Sequence, residues 1–327
     1  MNKAAITGIG GYVPDHILSN SDLEKMVDTT DEWITSRTGI KERRILKDSK
    51  KATSYLAIQA ANDLINKKNV NPESIDLVIV ATITPDLPVA STAAYVASSI
   101  GAKNAFAYDL QAACSGFLYG MSSAASYINS ERYKKILLIG ADKMSSIVDY
   151  EDRTTCIIFG DGGGAILFEP SKNNYGWEDE FFRSNGEDRM ALSIKAGGSL
   201  FPTSAESFNN GWHNIYQDGK TVFKYAVSEM ANVTEEIFKR NNLNNENVAY
   251  LVPHQANKRI IDATVKRINL SQDKVLMNIS RYGNTTAATI PLLLYDYESK
   301  FKLGDSLVFS AFGGGFTWGS AHLTWAY

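Results

Sequence analysis

The sequence predicts an α/β protein assembled from two duplicated halves, and three observations carry that prediction. Apolar, β-rich runs of strand length alternate with helix-like segments, the pattern of buried strands between covering helices. The alternation restarts after Pro170, so the runs of the second half can be laid over those of the first. The 327 residues, 44% hydrophobic and 21% charged, hold ample apolar material for such a core.

In the first half, strands are expected at 4–13 ("AAITGIGGYV"), 75–82 ("IDLVIVAT"), 105–110 ("AFAYDL"), 134–142 ("KKILLIGAD") and 162–170 ("GGGAILFEP"). Helices fall between them at 21–27, 32–38, 52–66, 90–100 and 114–129. The second half opens on a long amphipathic helix at 220–243, followed by a buried strand at 247–255 and a helix at 256–270. Then come the run 274–284 ("KVLMNISRYGN"), a helix at 285–301, a strand at 305–315 and a closing strand at 319–327. In the overlay 75–82 answers to 248–255, the run through Cys114 to 275–284, 135–142 to 306–314, and 162–170 to 319–327. Cys114 and Asn284 then open corresponding helices, and His254 ends the strand before Asn284. Loops leaving the carboxyl ends of neighbouring strands are where α/β proteins assemble sites.

Composition excludes several function classes. A net charge of −3 and the lack of a Lys/Arg-rich block argue against a nucleic-acid partner. The longest apolar runs are strand-sized, short of the ~20 residues that span a bilayer, and the amino terminus lacks the apolar core of a secretory signal. Two cysteines and four scattered histidines give neither a disulfide framework nor metal-ligand spacing. A cytoplasmic, reducing setting is expected.

Cys114 sits in "QAACSGF", where small neighbours let backbones approach the sulfur. Buried cysteine is commonly inert filler, but at a helix start the free N–H groups and macrodipole are expected to lower its pKa toward the nucleophilic thiolate. Its own N–H, and that of Gly314 in "AFGGGF", are candidate oxyanion donors. His254 in "LVPHQAN" reads as a structural histidine or an acid–base group, and Asn284 in "RYGNTT" as a cap or an amide donor. Cys156 reads as core. "GIGGYVPDH" lacks the third glycine of a dinucleotide-binding turn, and Pro14 obstructs the helix that must follow. The runs "FGDGGGAIL" and "AFGGGFTWG" read as tight turns. Trp33 and Arg37, at i and i+4, share a helix face as a cation–π pair or a clamp for an aromatic phosphorylated ligand. On the helix after His254, Ile260, Ile261, Thr264, Val265 and Ile268 form the buried stripe, leaving Lys258, Arg259, Lys266 and Arg267 outward for solvent or an acidic partner.

The blocks "DTTDEWITSRTGIKERR", "AACSGF", "FGDGGGA", "VPHQANKRII", "YGNTTAAT" and "AFGGGFTWGSA", in this order and spread from end to end, resemble β-ketoacyl-ACP synthase III, the initiating condensing enzyme of type II fatty-acid synthesis. The resemblance implies a thiolase-like αβαβα fold of two halves, 1–170 and 171–327, and a homodimer. It implies a catalytic triad of Cys114, His254 and Asn284, with the Cys114 and Gly314 amides as oxyanion hole. It places the coenzyme A adenine between Trp33 and Arg153, its phosphates near Arg37, and the pantetheine arm at Asn257. Acyl carrier protein would meet Gln255, Ala256, Asn257, Lys258 and Arg259. Acyl-CoA and malonyl-ACP are substrates, with no cofactor and no metal. In the implied reaction Cys114 takes the acyl group, and His254 and Asn284 both donate hydrogen bonds to the enolate left by decarboxylation.

One loop departs from the family. A Phe-Pro pair commonly lines the acyl pocket, where this chain has Val89 and Ala90 in "TPDLPVAST"; the change implies a pocket open to a branched or slightly longer starter. A thiolase would need a second cysteine in the C-terminal glycine loop, which this chain lacks, and plant-type polyketide synthases are longer and lack the "HQAN" block. The remaining rivals are a related acyltransferase of secondary metabolism with a different acceptor, and a non-catalytic CoA- or ACP-binding scaffold.

Overall fold

The computed structural model describes residues 3–327. Strand β1 (Ala4–Tyr12) leads into a short hairpin of β2 (Ile17–Ser19) and β3 (Glu42–Arg44), which brackets α1 (Asn20–Leu23) and α2 (Asp31–Thr38). There follow α3 (Thr53–Lys68), β4 (Leu77–Ala81), α4 (Thr92–Ser99), β5 (Phe106–Leu110), α5 (Gly116–Asn129), β6 (Ile136–Asp142), α6 (Arg153–Cys156) and β7 (Gly162–Pro170). Beyond Pro170 come β8 (Trp177–Ser184), a small pair of β9 (Leu192–Ile194) and β10 (Ile215–Gln217) around α7 (Ala205–Asn209), and α8 (Gly219–Arg240). The chain closes with β11 (Tyr250–Pro253), α9 (Lys258–Ile268), α10 (Ile279–Tyr282), α11 (Thr289–Tyr297), β12 (Ser306–Gly313) and β13 (Thr317–Thr324).

Two sheets form, ordered β1-β7-β6-β4-β5 and β8-β13-β12-β11. Each has the same plan: a strand pair running parallel (β4 with β6, β11 with β12) joined to antiparallel neighbours on one side. Three of the four overlaid pairs of runs are therefore overlays of strands in space, β4 with β11, β6 with β12 and β7 with β13. Helices α5 and α11 lie between the sheets, their buried faces (Phe117, Leu118, Met121 and Ile290, Leu293, Leu294) merging both into one core. Helices α3 and α4 cover the outer face of the first sheet, and α8 and α9 that of the second. The result is the five-layer αβαβα arrangement of the thiolase-like fold. The stripe expected on α9 is buried residue for residue.

Three features depart from expectation. The run 274–284 forms no strand; Val275 bridges Leu251 and Asn284 bridges Phe159 as isolated pairs, and between them the N–H groups of Asn278 and Ile279 are drawn to the Gln255 side-chain oxygen. Strand β8 was not anticipated because its charges mask its period. It is an edge strand, and those charges pair laterally, Glu178 with Lys3 (2.6 Å) and Asp179 with Arg240 (2.6 Å). The run "GGGAILFEP" is strand from its first glycine, as expected for 162–170, so the turn read in the overlapping "FGDGGGAIL" does not extend into its glycines: Gly163 lies against the Leu56 carbonyl of α3 and Gly164 against Pro291 of α11, and helices from two layers close on one strand.

A methyl group at Gly163 would come 2.6 Å from that carbonyl, whereas one at Gly186 would meet nothing within 4 Å. Gly163→Ala is expected to lower the unfolding free energy by about 1–3 kcal/mol, the usual cost of overpacking, with Gly186→Ala near neutral. Urea titration of the two variants checks this; equal midpoints would refute the packing account.

Candidate active site

The site forms where the two halves meet, and its first element is a sharp turn after β5. Ala113 adopts a left-handed conformation (φ 47°), uncommon for a residue with a side chain. That turn sets Cys114 on a single 3₁₀ turn, Ala113–Ser115, two residues ahead of α5. The turn is tied to the second half, since the Ser115 hydroxyl donates to the Thr317 carbonyl (2.9 Å) and the Thr317 hydroxyl to the Ala112 carbonyl (2.8 Å). The hairpin end at Gly313 passes so close that a Cβ there would lie 2.7 Å from the Cys114 nitrogen.

The other two candidates come from the second half. His254 follows Pro253 at the end of β11, held by its N–H donating to the Ser310 carbonyl (2.8 Å). Its Nδ1 meets the Thr289 hydroxyl at 3.0 Å. Asn284 follows Gly283, whose φ of +64° and contact with the Ile158 carbonyl both require glycine. The Asn284 backbone is then pinned across the halves, donating to the Ile158 carbonyl (2.9 Å) and accepting from the Gly160 N–H (3.0 Å). Its side-chain oxygen accepts from the Thr286 N–H (2.9 Å), which turns the NH₂ group toward the Cys114 sulfur as donor.

Cys114, His254 and Asn284 are all buried and line one cavity of about 380 Å³, a tunnel that runs out past Asn257 to Trp33 and Arg37. Cys114 also lines a second cavity of about 490 Å³, walled by Ile83, Leu192, Ile194 and Ile215, with Gly314 at its edge. The sulfur thus stands at a junction of two spaces. Among the described residues, neither the Cys114 nor the Gly314 N–H donates to a loop or turn carbonyl.

Electrostatics corrects one expectation. Burial, followed by the nearby Asp142 carboxylate, pushes the Cys114 thiol up to about 12, against the opposing hydrogen bonds of its own N–H and Asn284. That rise is worth about 4 kcal/mol, more than the 0.3–1 kcal/mol of a helix terminus. Desolvation therefore wins, and the resting sulfur is a thiol. Burial also brings His254 down to about 3, so its imidazole is neutral at physiological pH.

Other sequence expectations meet mixed outcomes. Trp33 and Arg37 share a face, the guanidinium 4.9 Å from the indole centroid, and Arg153 stands 5.1 Å from the same centroid while donating to the Asp28 carbonyl. Ala256, Asn257 and Arg259 border the tunnel; Lys258 is exposed and paired with Asp262 (2.7 Å). Gln255 is not available to a partner: it is fully buried, donating to the Pro253 and Leu276 carbonyls and accepting from Asn278 and Ile279. Val89 and Ala90 do not line either cavity at Cys114. Val89 is 97% exposed and Ala90 borders a separate surface pocket with Tyr55 and Tyr95. The segment carrying Leu192, Ile194 and Ile215 walls the inner cavity instead. Sequence reasoning missed Asp142, Thr286 and Thr289, whose only signal was polar residues within otherwise apolar strand and helix runs.

Residues 108–186 match the family model of 3-oxoacyl-[acyl-carrier-protein] synthase III, and residues 238–325 match its C-terminal model. The chain is 53% identical over 325 residues to β-ketoacyl-[acyl-carrier-protein] synthase III 2 of Bacteroides thetaiotaomicron, covering 99% of this chain and 97% of that one. It is likewise 53% identical over 327 residues to the synthase III of Chlorobaculum tepidum, covering 99% of each. The crystal structure of 3-oxoacyl-[acyl-carrier-protein] synthase III from Aquifex aeolicus superposes with a TM-score of 0.90 at 42% identity, covering 98% of this chain and all of that one.

Two measurements follow from the titration directions. Alkylation of Cys114 by iodoacetamide is expected to climb with pH from 6 to 10 without a plateau, since the thiol titrates only near 12; a plateau near neutrality would show a stabilised thiolate. His254 takes up no proton until about pH 3, whereas unfolded histidine does so below ~6.5. The unfolded state thus binds more protons in that window, and stability falls as pH falls through it. Between pH 6.5 and 5, His254→Gln should lose about 2 kcal/mol less than the parent protein; equal losses in urea titrations would contradict a desolvated imidazole.

Proposed function

From the premise that the chain belongs to the β-ketoacyl-ACP synthase III family, whose enzymes carry out the initiating condensation of fatty-acid synthesis, we propose that Cys114, His254 and Asn284 perform that chemistry. The observation that carries this reading is their convergence on one tunnel, with the Asn284 NH₂ turned to the sulfur.

As Cys114 Sγ attacks the thioester carbonyl of a short acyl-CoA, the thiol proton passes to the neutral His254 imidazole. The negative oxygen is held by the Cys114 and Gly314 N–H groups, a donor of this kind being worth about 3–4 kcal/mol. The carbon–sulfur bond to CoA breaks and the departing thiolate takes the proton from His254. Malonyl-ACP then enters the emptied tunnel. Its bond to the carboxylate breaks, CO₂ leaves, and the enolate oxygen accepts from Asn284 and from His254 Nε2–H. The carbanion attacks the acyl carbonyl, and Cys114 departs as thiolate and takes up one proton from solvent, leaving 3-oxoacyl-ACP. No cofactor is called for, and ping-pong kinetics follow.

The tunnel mouth suits CoA: Trp33 offers a flat face flanked by Arg37 and Arg153 for the adenine and phosphates, and Asn257 lies along the path of the pantetheine arm. The rim of Ala256, Lys258 and Arg259, with Lys266 and Arg267 beyond, suits the acidic acyl carrier protein. The inner cavity receives the acyl group, and its volume and Ile-rich wall favour a branched or slightly longer starter over acetyl. A homodimer is supported by the edge strand β5, where Phe106 is exposed, and by exposed Leu87, Val89 and Tyr95. Both cysteines are unpaired thiols, which suits the cytoplasm.

Intact-protein mass spectrometry tests the core of this reading. Incubation with acyl-CoA should add one acyl group on the peptide bearing Cys114, discharged by malonyl-ACP with release of CO₂; no adduct would leave only a binding scaffold. Asn284→Ala should cut decarboxylation about 10²–10³-fold while acylation stays within about tenfold. Equal losses in both steps would overturn its role. In a starter panel, acetyl-CoA exceeding isobutyryl- and isovaleryl-CoA by more than about tenfold in kcat/KM, the scale of one methylene's discrimination, would exclude the larger starter.

A further inference from the structure

Arg43, on β3, is fully enclosed and has no acid paired with it. Its neighbour Glu42 pairs with Arg44 instead (3.0 Å), and among the described residues no carboxylate forms an ion pair with Arg43. Burial brings its pKa down to about 10, so the guanidinium stays charged at physiological pH. Enclosing an unneutralised cation is costly, and an apolar chain of similar length would fill the space. What the guanidinium adds is its planar fork of donors, which the point charge of a lysine does not offer.

Each arm of that fork holds a different piece of the site. Nη2 donates to the Ile157 carbonyl (2.6 Å), at the head of the segment whose Ile158 carbonyl and Gly160 N–H grip the Asn284 backbone. The Arg43 stem lies along the same contact: a Cβ at Gly160 would come 3.0 Å from the Arg43 Cβ, and one at Gly283 3.4 Å. Nη1 donates to the Leu18 carbonyl (3.2 Å) and to the Asn20 side-chain oxygen (2.9 Å). Asn20, also enclosed, carries the link on to α2. Its Nδ2 donates to Asp31, which opens that helix, and to the Ile40 carbonyl just beyond its end (both 2.8 Å). Helix α2 bears Trp33 and Arg37.

We infer that Arg43 is a positioning residue that joins α2 to the 157–160 segment, and so fixes the nucleotide clamp of Trp33 and Arg37 relative to the Asn284 amide. The pantetheine arm has a fixed reach, so a thioester held by its nucleotide meets the reacting groups only if that spacing is kept. This rests on the roles given to those residues under Proposed function. Arg43→Met keeps the stem and removes both arms. Asn20→Ala cuts the arm to α2 and leaves the bond to Ile157 in place.

The test compares Cys114 acylation on the full chain by acyl-CoA and by the acyl-pantetheine thioester, which has the arm but no nucleotide. In Asn20→Ala, the parent's preference for acyl-CoA in kcat/KM should fall at least about fivefold, the scale of a lost cation–π contact. Its rate with acyl-pantetheine and its decarboxylation of malonyl-ACP should stay within about threefold of the parent. Arg43→Met should lose the same preference and also slow decarboxylation at least about tenfold, since a misplacement of about 1 Å can cost ~10²-fold. In an Asn284→Ala background it should slow decarboxylation no further, because it acts through that amide, whereas a merely structural loss would multiply. A parental preference in Asn20→Ala, or losses that multiply in the double variant, would overturn the inference. If Arg43→Met does not fold, the preference shown by Asn20→Ala decides. A parent that forms no acyl-Cys114, or that shows no preference for acyl-CoA, strikes the proposed function itself.

Discussion

The arrangement of the site depends on one buried carboxylate. Asp142, at the end of β6 and wholly enclosed, accepts from the Thr82 hydroxyl (2.8 Å), the Ile83 N–H (2.8 Å), and the Thr84 N–H and hydroxyl (3.1 and 2.9 Å), all in the first half. Its other oxygen accepts from the Thr286 hydroxyl and the Ala287 N–H, in the second half. Burial raises its pKa, and these donors oppose the rise. An enclosed carboxylate is tolerated only when so surrounded, and stripping its partners would cost several kcal/mol. The constraint sets where the segment from Asn284 to Thr289 sits against β6. Through that segment it sets both the direction of the Asn284 amide and the partner of His254.

The pair beside it is kept neutral by the same dryness. A thiol pushed up to about 12 and an imidazole brought down to about 3 do not form an ion pair at rest. In this account the charge appears only as the thioester is attacked, when the oxyanion donors can meet it. That is where electrostatic stabilisation contributes most, because the dipoles are already aligned and no water must reorganise. Two cavities meet at Cys114, and in the proposed cycle they extend the logic by giving the starter a space separate from the tunnel of the second substrate.

Much of the fold was legible because its strands are short apolar runs and its duplication repeats them in order. Strand β8 was not, since an edge strand carries charges that pair sideways and hide the period of two. At the site, Cys114, His254 and Asn284 were legible as residue types at strand ends, and their convergence needed the layered fold. The thiolate expectation failed because proximity to a helix start was weighed without the burial that the same small neighbours enforce. Gln255 was misplaced because nothing in "HQAN" tells which side chain turns inward to staple Asn278 and Ile279. Val89 and Ala90 lie off the walls of both cavities within the one chain, where the inner cavity is walled by Ile83 and by a segment more than a hundred residues further on, a contact set by topology rather than by local pattern.

The most direct measurement of the central claim is a crystal structure of the protein trapped with an acyl group on Cys114. The account predicts the ester carbonyl oxygen between the N–H groups of Cys114 and Gly314, the acyl chain in the inner cavity against Ile194 and Ile215, and the tunnel toward Trp33 left clear. An acyl chain lying back along the tunnel, with its carbonyl turned from Gly314, would contradict it.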